Sequence, residues 1–182
     1  MEPITLDELA RATGGRLVRA ADPGARVGPD VVIDSRRATP GSVFVAIPGE
    51  RVDGHDYLDA AASGGAAAAL TAREVDADLA QVVVDDPVAA LQRLARHTVD
   101  AGHAGGLVVV GVTGSSGKTS TKDLIGQVLG RFGATVVPPG SFNNEIGAPL
   151  TACRVDGATR FLVAEMGARG IGHVRALTEV TP

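Results

Sequence analysis

A single cysteine, Cys153, has nothing to pair with, so no internal disulfide braces the chain. The four histidines, His55, His97, His103 and His173, have no cysteine partners at zinc-like spacing, and a structural metal is not expected. Tryptophan is absent and aromatics make up 3% of the chain, so the core has to be mostly alanine, valine and leucine. Basic residues do not outnumber acidic ones. The formal net charge is -4, which argues against a nucleic-acid partner, since phosphate backbones are held mainly by excess lysine and arginine. No run approaches the ~20 apolar residues of a membrane span. "MEPITLDELA" is acidic where a targeting segment is basic, and no apolar stretch follows it. The expectation is a soluble, cytoplasmic protein without membrane insertion; its oligomeric state is not legible. Hydrophobic residues amount to 45% of the 182, enough to bury a real core in one or two domains of ~100–200 residues.

The chain alternates strand-like and helix-like segments. "TLDELARATGG" reads as a short helix, with Thr5 and Glu8 at capping-box spacing and Gly14 and Gly15 as a stop. "GRLVR", "DVVID" and "SVFVAI" read as strands, "HDYLDAAASGG" as a helix, and "AAAALTA" and "QVVVDD" as strands again. "PVAALQRLARHTVDAG" opens on Pro87, a favoured first-turn residue, and Val88, Leu91, Leu94 and Ala95 line one face. "GGLVVVGVTG" is a buried strand running into a glycine loop. From Lys118 to Phe132, Leu124, Ile125, Val128, Leu129 and Phe132 form an apolar stripe at helical spacing. "ATVV" and "TRFLVAEMG" read as strands, "EIGAPLTAC" and "GHVRALTEV" as helices. Such alternation implies parallel strands joined by crossover helices. The predicted architecture is α/β: a small mixed domain over residues 1–85, then the first part of a doubly wound parallel sheet over 86–182.

"GVTGSSGKTS", residues 111–120, follows a buried strand and precedes a helix. In that order, backbone N–H groups and the positive helix end converge on one spot and form a phosphate cradle. The usual pattern is G-x-x-x-x-G-K-[ST]. Counting back from Gly117, its first glycine falls on Val112, whereas this sequence has Gly111 and Gly114. Lys118 can reach outer phosphates, and the Thr119 hydroxyl can ligate Mg²⁺. The bland alternative is a glycine turn with a solvated lysine. Glu165 ends the strand "FLVA" at the edge where ligands bind in open α/β sheets, as a Mg²⁺ ligand or a solvated acid. Asn143 and Asn144 reach the same edge, either to bind nucleotide or metal or to cap a turn. Asp34, Ser35, Arg36 and Arg37 crowd one turn, and either arginine can hold an anion or stay solvated.

"GVTGSSGKTS", "GSFNNEIGAPL" and "VAEMGARGIGHV", in that order, resemble the Mur ligases of peptidoglycan synthesis. "DSRRATPGSVFVAIPGERVDGHDYLDAAASGGAAAAL" is similar to their N-terminal UDP-binding domain. The family's T-G-x-x-G-K-[ST] loop accounts for the displaced first glycine. Within the family, the chain looks most like the branch that adds D-alanyl-D-alanine to UDP-N-acetylmuramoyl-tripeptide. The branch adding the third amino acid usually shows "TNGKT" and lacks "NNEIG". The resemblance implies that ATP phosphorylates the peptide's terminal carboxylate and that the amine of D-alanyl-D-alanine displaces phosphate from the acyl phosphate. It places ATP on Thr113, Gly114, Ser115, Ser116, Gly117, Lys118, Thr119 and Ser120, with Asn143 or Asn144 positioning nucleotide and metal. Lys118 and Glu165 take the catalytic roles, Thr119 and Glu165 hold Mg²⁺, and Ser35 and Arg36 lie near the uridine-diphosphate end. Members of the family continue well past the position of Pro182, so the chain is expected to be a fragment with its ATP-binding sheet incomplete. Three other readings compete: the branch of the family that adds the third amino acid, a P-loop small-molecule kinase, which needs no domain ahead of its loop, and a non-catalytic nucleotide-binding module.

Overall fold

The computed structural model describes residues 1–168 and 170–182. Arg169, inside "VAEMGARGIGHV", lies outside the described residues. The chain divides into two compact units, Met1–Leu94 and Ala95–Pro182. In the first, β1 (Ile4–Thr5) leads directly into α1 (Leu6–Thr13). The Thr5 Oγ1 accepts the Glu8 N–H at 3.1 Å, and Gly14 closes the helix at φ 69°, as the capping-box spacing and the glycine stop predict. There follow β2 (Arg16–Val18), β3 (Arg26–Val27), β4 (Val31–Val32), a 3-10 turn over Ser35–Arg37, and β5 (Val43–Val45). A second 3-10 turn over Gly54–Tyr57 runs into α2 (Leu58–Ser63), and β6 (Ala68–Thr71) and β7 (Ala80–Val83) complete the unit's strands.

The sheet order is β2-β7-β6-β5-β4. Strands β4 to β7 are parallel, as the alternation predicts, but β2 joins the edge antiparallel to β7. No single crossover links β2 to its distant partner, so the handedness rule for adjacent parallel strands does not act on it. A separate two-residue ladder pairs Ile4–Thr5 with Arg26–Val27, too short to leave a period in the sequence. Phe44, Leu58, Leu79 and several alanines pack one face of the sheet. With so few aromatics, alanine does much of the filling, and Ala46, Ala61 and Ala69 are wholly buried. Each fully buried Leu or Phe here contributes roughly 1.5–3 kcal/mol.

Helix α3 (Pro87–Ala104) starts on an Asp86 carboxylate that accepts the Val88 N–H at 2.8 Å. Leu91, Leu94 and Ala95 are buried, joined by Ala90, while Val88 is only half-buried. The division between the two units falls inside this helix, between Leu94 and Ala95.

The second unit contains β8 (Val108–Val112), α4 (Lys118–Leu129), β9 (Ala134–Val136), α5 (Gly147–Ala152), β10 (Thr159–Glu165) and α6 (His173–Val180). Its three strands form a parallel sheet in the order β8-β10-β9. Ala148, Ala164, Met166 and Leu177 pack together at its core. Helix α4 corrects the sequence reading in two ways. It ends at Leu129 rather than near Phe132, and only two of the five stripe residues face inward. Ile125 and Leu129 are half-buried, whereas Leu124, Val128 and Phe132 are 63%, 58% and 65% exposed. The four of these residues that lie on the helix form two neighbouring rows, Ile125 with Leu129 and Leu124 with Val128. The inner row lies beside Lys122, which is buried to 2% exposure and ion-paired with Asp123.

Candidate functional site

Strand β8 points its carboxyl end at the glycine loop, and β10 lies beside it with Glu165 in register with Val112. Pairing thus sets Glu165 opposite the residue that precedes Thr113. Gly114 (φ 149°) and Gly117 (φ 76°) take conformations that suit glycine, and a Cβ on Gly117 would meet nothing within 4 Å. Gly117 caps α4, so the helix's first N–H groups open toward the loop. Thr113, Ser115, Ser116 and Ser120 are exposed, Lys118 and Thr119 half-buried. The Lys118 ammonium donates to the Gly114 carbonyl at 2.7 Å, folding back over the loop where an anion would sit.

Glu165 is 1% exposed. Its Oε1 accepts from Asn143 Nδ2 at 2.8 Å and from Thr119 Oγ1 at 3.4 Å, while Oε2 has no hydrogen-bond partner among the described residues. A buried carboxylate oxygen without a donor calls for a cation, a water or a proton. The two asparagines divide their roles. Asn143 turns to Glu165. Asn144 Oδ1 accepts the N–H groups of Gly147 (2.8 Å) and Ile146 (3.4 Å), which starts α5. The sequence left nucleotide contact and capping open for both amides; the geometry makes Asn144 the cap and puts Asn143 on Glu165. Gly167 makes this possible. Its N–H donates to the Asn143 carbonyl at 2.8 Å, and a Cβ there would come within 2.9 Å of Asn143 Oδ1. Among the described residues, no three His, Cys, Asp or Glu side chains gather into a metal site. One carboxylate and one hydroxyl do suit a hard cation that keeps several waters and bridges phosphates.

The first unit has its own candidate site. A cavity of about 710 Å³ opens at the carboxyl edge of the parallel strands. Phe44 and Ile47 come from β5 and its exit; Ser35 and Arg36 come from the first 3-10 turn. Val52, Gly54 and Tyr57 bring in the second. Spacing did not reveal the apolar lining, because these residues are far apart in the chain and meet only through the sheet. Ser35 is buried in the cavity wall. The Arg36 guanidinium is gripped by Asp34, Nε to Oδ1 at 2.9 Å and Nη2 to Oδ2 at 2.7 Å. Arg37 is exposed and its guanidinium makes no hydrogen bond or ion pair among the described residues.

Hydrogen bonds from the Arg36 side chain and backbone, with the nearby cationic charge, lower the Asp34 carboxyl to about 2. Its folded value is depressed, so the pair adds stability above the ordinary carboxylate range and loses it as pH falls toward about 2. A carboxyl-detected NMR titration is expected to place Asp34 near that value, and Arg36→Ala to return it toward the ordinary range. An Asp34 that titrates normally in the unsubstituted protein would mean that Arg36 is free in solution.

Residues 30–98 match the model described as Mur ligase family, catalytic domain, and residues 112–182 the Mur ligase middle domain. The UDP-N-acetylmuramoyl-tripeptide--D-alanyl-D-alanine ligase of Mycobacterium tuberculosis H37Rv is 41% identical over 204 residues, covering 100% of this chain and 40% of the relative. The Escherichia coli K12 protein of the same name is 39% identical and is covered to 38%. A crystal structure of MurF from Acinetobacter baumannii superposes with a TM-score of 0.89 at 32% identity, covering all of this chain and 39% of that one. MurF ligase from Thermotoga maritima, solved in complex with ADP, superposes with a TM-score of 0.72 at 36% identity, covering 84% of this chain and 35% of that one. The chain thus spans about 40% of the length of the curated relatives it matches. Both units carry family models, the sequence likeness runs the full length, and the fold follows: the chain belongs to the Mur ligase family.

Proposed function

We propose that this chain carries the UDP-precursor site and the ATP-phosphate site of an ATP-dependent ligase that adds D-alanyl-D-alanine to UDP-N-acetylmuramoyl-tripeptide in the cytoplasm. The observation that carries the reading is the cluster of Thr119, Asn143 and Glu165 at one sheet edge, beside a glycine loop that carries Lys118, in a chain with a cavity in its other unit. A small-molecule kinase has no use for the first unit. In this reading the loop N–H groups and Lys118 hold the ATP phosphates. Mg²⁺ would sit on Thr119 Oγ1 and Glu165 Oε2 and neutralise phosphate charge, and Asn143 would keep Glu165 aimed. The γ-phosphoryl group passes to the tripeptide carboxylate and ADP leaves. The amine then attacks the acyl carbon, the C–O bond to phosphate breaks, and the amine gives up a proton.

The cavity of the first unit takes the uridine-diphosphate end. Its apolar floor suits a planar base, Ser35 offers a hydroxyl, and the rim supplies cations. With Arg36 engaged by Asp34, Arg37 is the freer anion ligand. The test is NMR of this chain with UDP and no ATP. Shifts are expected at Ser35, Gly54 and Tyr57. Shifts clustered instead at Gly114 and Lys118 would put UDP in the other unit and remove the basis for the reading.

By itself, the 182-residue chain is expected to form no amide product from UDP-N-acetylmuramoyl-tripeptide, D-alanyl-D-alanine, ATP and Mg²⁺. An acyl phosphate has to be shielded from water until the amine attacks, and the loop from Gly114 to Gly117 is exposed. Product seen by mass spectrometry would show that these residues contain a complete active site.

A further inference from the structure

His55 is buried, with its side chain 1% exposed, yet it lies outside everything assigned above. Both ring nitrogens are engaged. Nε2 accepts the Ala72 N–H at 2.8 Å, which puts the ring proton on Nδ1, 2.6 Å from Asp53 Oδ1. The same Asp53 oxygen accepts the His55 N–H at 3.0 Å, and Asp53 Oδ2 accepts from Arg73 Nη2 at 2.9 Å. These bonds, led by those from His55, hold the Asp53 carboxyl well below the usual carboxylate range. With no ring nitrogen left over, His55 cannot act as an acid or base toward a ligand.

What the ring does is mechanical. It belongs to the 3-10 turn Gly54–Tyr57, and Ala72 and Arg73 directly follow β6. The imidazole therefore ties that turn to the end of one strand. Gly54 ties it to another: its N–H donates to the Ile47 carbonyl at 3.0 Å, and a Cβ there would lie 2.7 Å from Ile47 N and 2.9 Å from Ala46 C. Backbone on that side leaves no room for a side chain. Gly54 and Tyr57, at the two ends of this turn, are walls of the 710 Å³ cavity.

We propose that Asp53, His55 and Arg73 are positioning residues for the uridine-diphosphate site: they hold the Gly54–Tyr57 wall in its binding shape before the ligand arrives. The inference rests on the reading of that cavity given above. A wall fixed in advance spares binding the entropy of ordering it. Removing the ring leaves the Ala72 N–H without a partner and takes one of the three hydrogen bonds from Asp53, and the turn is free to relax.

The experiment is UDP titration of the 182-residue chain, followed by NMR of the first unit, with ADP and Mg²⁺ titrated into the second unit as an internal control. His55→Leu is expected to weaken UDP binding about 10-fold or more, the size of losing a buried hydrogen bond and orphaning its partners, and to leave ADP affinity unchanged. His55→Gln, whose amide can accept from Ala72 and donate toward Asp53, is expected to recover part of that loss. Leu9→Ala, buried in α1 and outside the cavity lining, is expected to lower thermal stability without changing UDP affinity. If His55→Leu does not fold, Arg73→Ala serves. Arg73 is 56% exposed at its side chain, and its loss is expected to weaken UDP binding about threefold. UDP affinity unchanged in the folded variants, or lowered equally by Leu9→Ala, overturns the positioning role and leaves the cavity assignment intact. Absence of UDP binding at the cavity in the unsubstituted chain overturns both.

Discussion

Lys118→Ala is expected to weaken MgATP binding by about 100-fold or more while leaving the fold of the second unit intact. Among the phosphate-loop residues Thr113 to Ser120, Lys118 is the sole cation, and its ammonium already lies over the loop, 2.7 Å from the Gly114 carbonyl. Swapping that carbonyl for phosphate oxygens replaces one neutral acceptor with charged ones, each charge-assisted bond being worth roughly 1.5–3 kcal/mol. Two such bonds account for a hundredfold change, about 2.7 kcal/mol. The folded chain needs little from this lysine, since its bond to Gly114 is exposed and substitutions at such sites stay within about 0.5 kcal/mol. Lys118→Arg is expected to bind poorly as well, because a planar guanidinium does not replace a compact ammonium inside a tight loop. Calorimetry with ATP and Mg²⁺ measures both. An unchanged affinity in Lys118→Ala would reduce the loop to a structural turn.

The parts of this molecule that were legible in the sequence are those fixed by local chemistry. Thr5 and Glu8 announce a helix start because the cap is made within three residues. Gly114, Gly117, Lys118 and Thr119 announce a glycine turn between a strand and a helix because local chemistry brings them together without help from the rest of the chain. The illegible parts depend on partners distant in sequence. Leu124, Val128 and Phe132 have the spacing of a core stripe, but periodicity defines a face without saying which side of it meets the sheet. Lys122 carries no sign of burial in its local sequence; in the fold it is buried beside Asp123. Asn143 and Asn144 are adjacent and chemically identical. Only the close approach of Gly167 and the register of β10 decide that the first reaches Glu165. The cavity of the first unit is a further case. Its polar turn was visible as Ser35 and Arg36, but its apolar floor was not, since Phe44 and Ile47 look like ordinary strand residues.

Glu165→Gln is expected to change ATP binding in opposite directions with and without Mg²⁺. Glu165 is buried with one oxygen unpartnered among the described residues, and its other oxygen faces Asn143 and Thr119. A carboxylate in that place repels the phosphates unless a cation lies between them. At about 5 Å and an effective dielectric of about 20, unit charges interact by roughly 3 kcal/mol. In excess chelator, removing the charge is therefore expected to tighten ATP binding, by up to about tenfold once solvent screening is allowed for. With Mg²⁺ present, the same substitution removes a metal ligand and is expected to weaken binding by about 10-fold to 100-fold. The ligand-free chain supplies a third readout. Glutamine keeps an acceptor for Asn143 and Thr119 and removes a buried charge, so thermal stability is expected to hold or to rise slightly, whereas Glu165→Ala leaves a void and is expected to lower it. A purely structural acid gives a different pattern: both variants lose stability, and neither shows an Mg²⁺-dependent change in affinity. Equal ATP affinity for Glu165→Gln and the unsubstituted chain, in chelator and in Mg²⁺ alike, would remove Glu165 from the metal site and leave Thr119 as the chain's remaining proposed Mg²⁺ ligand.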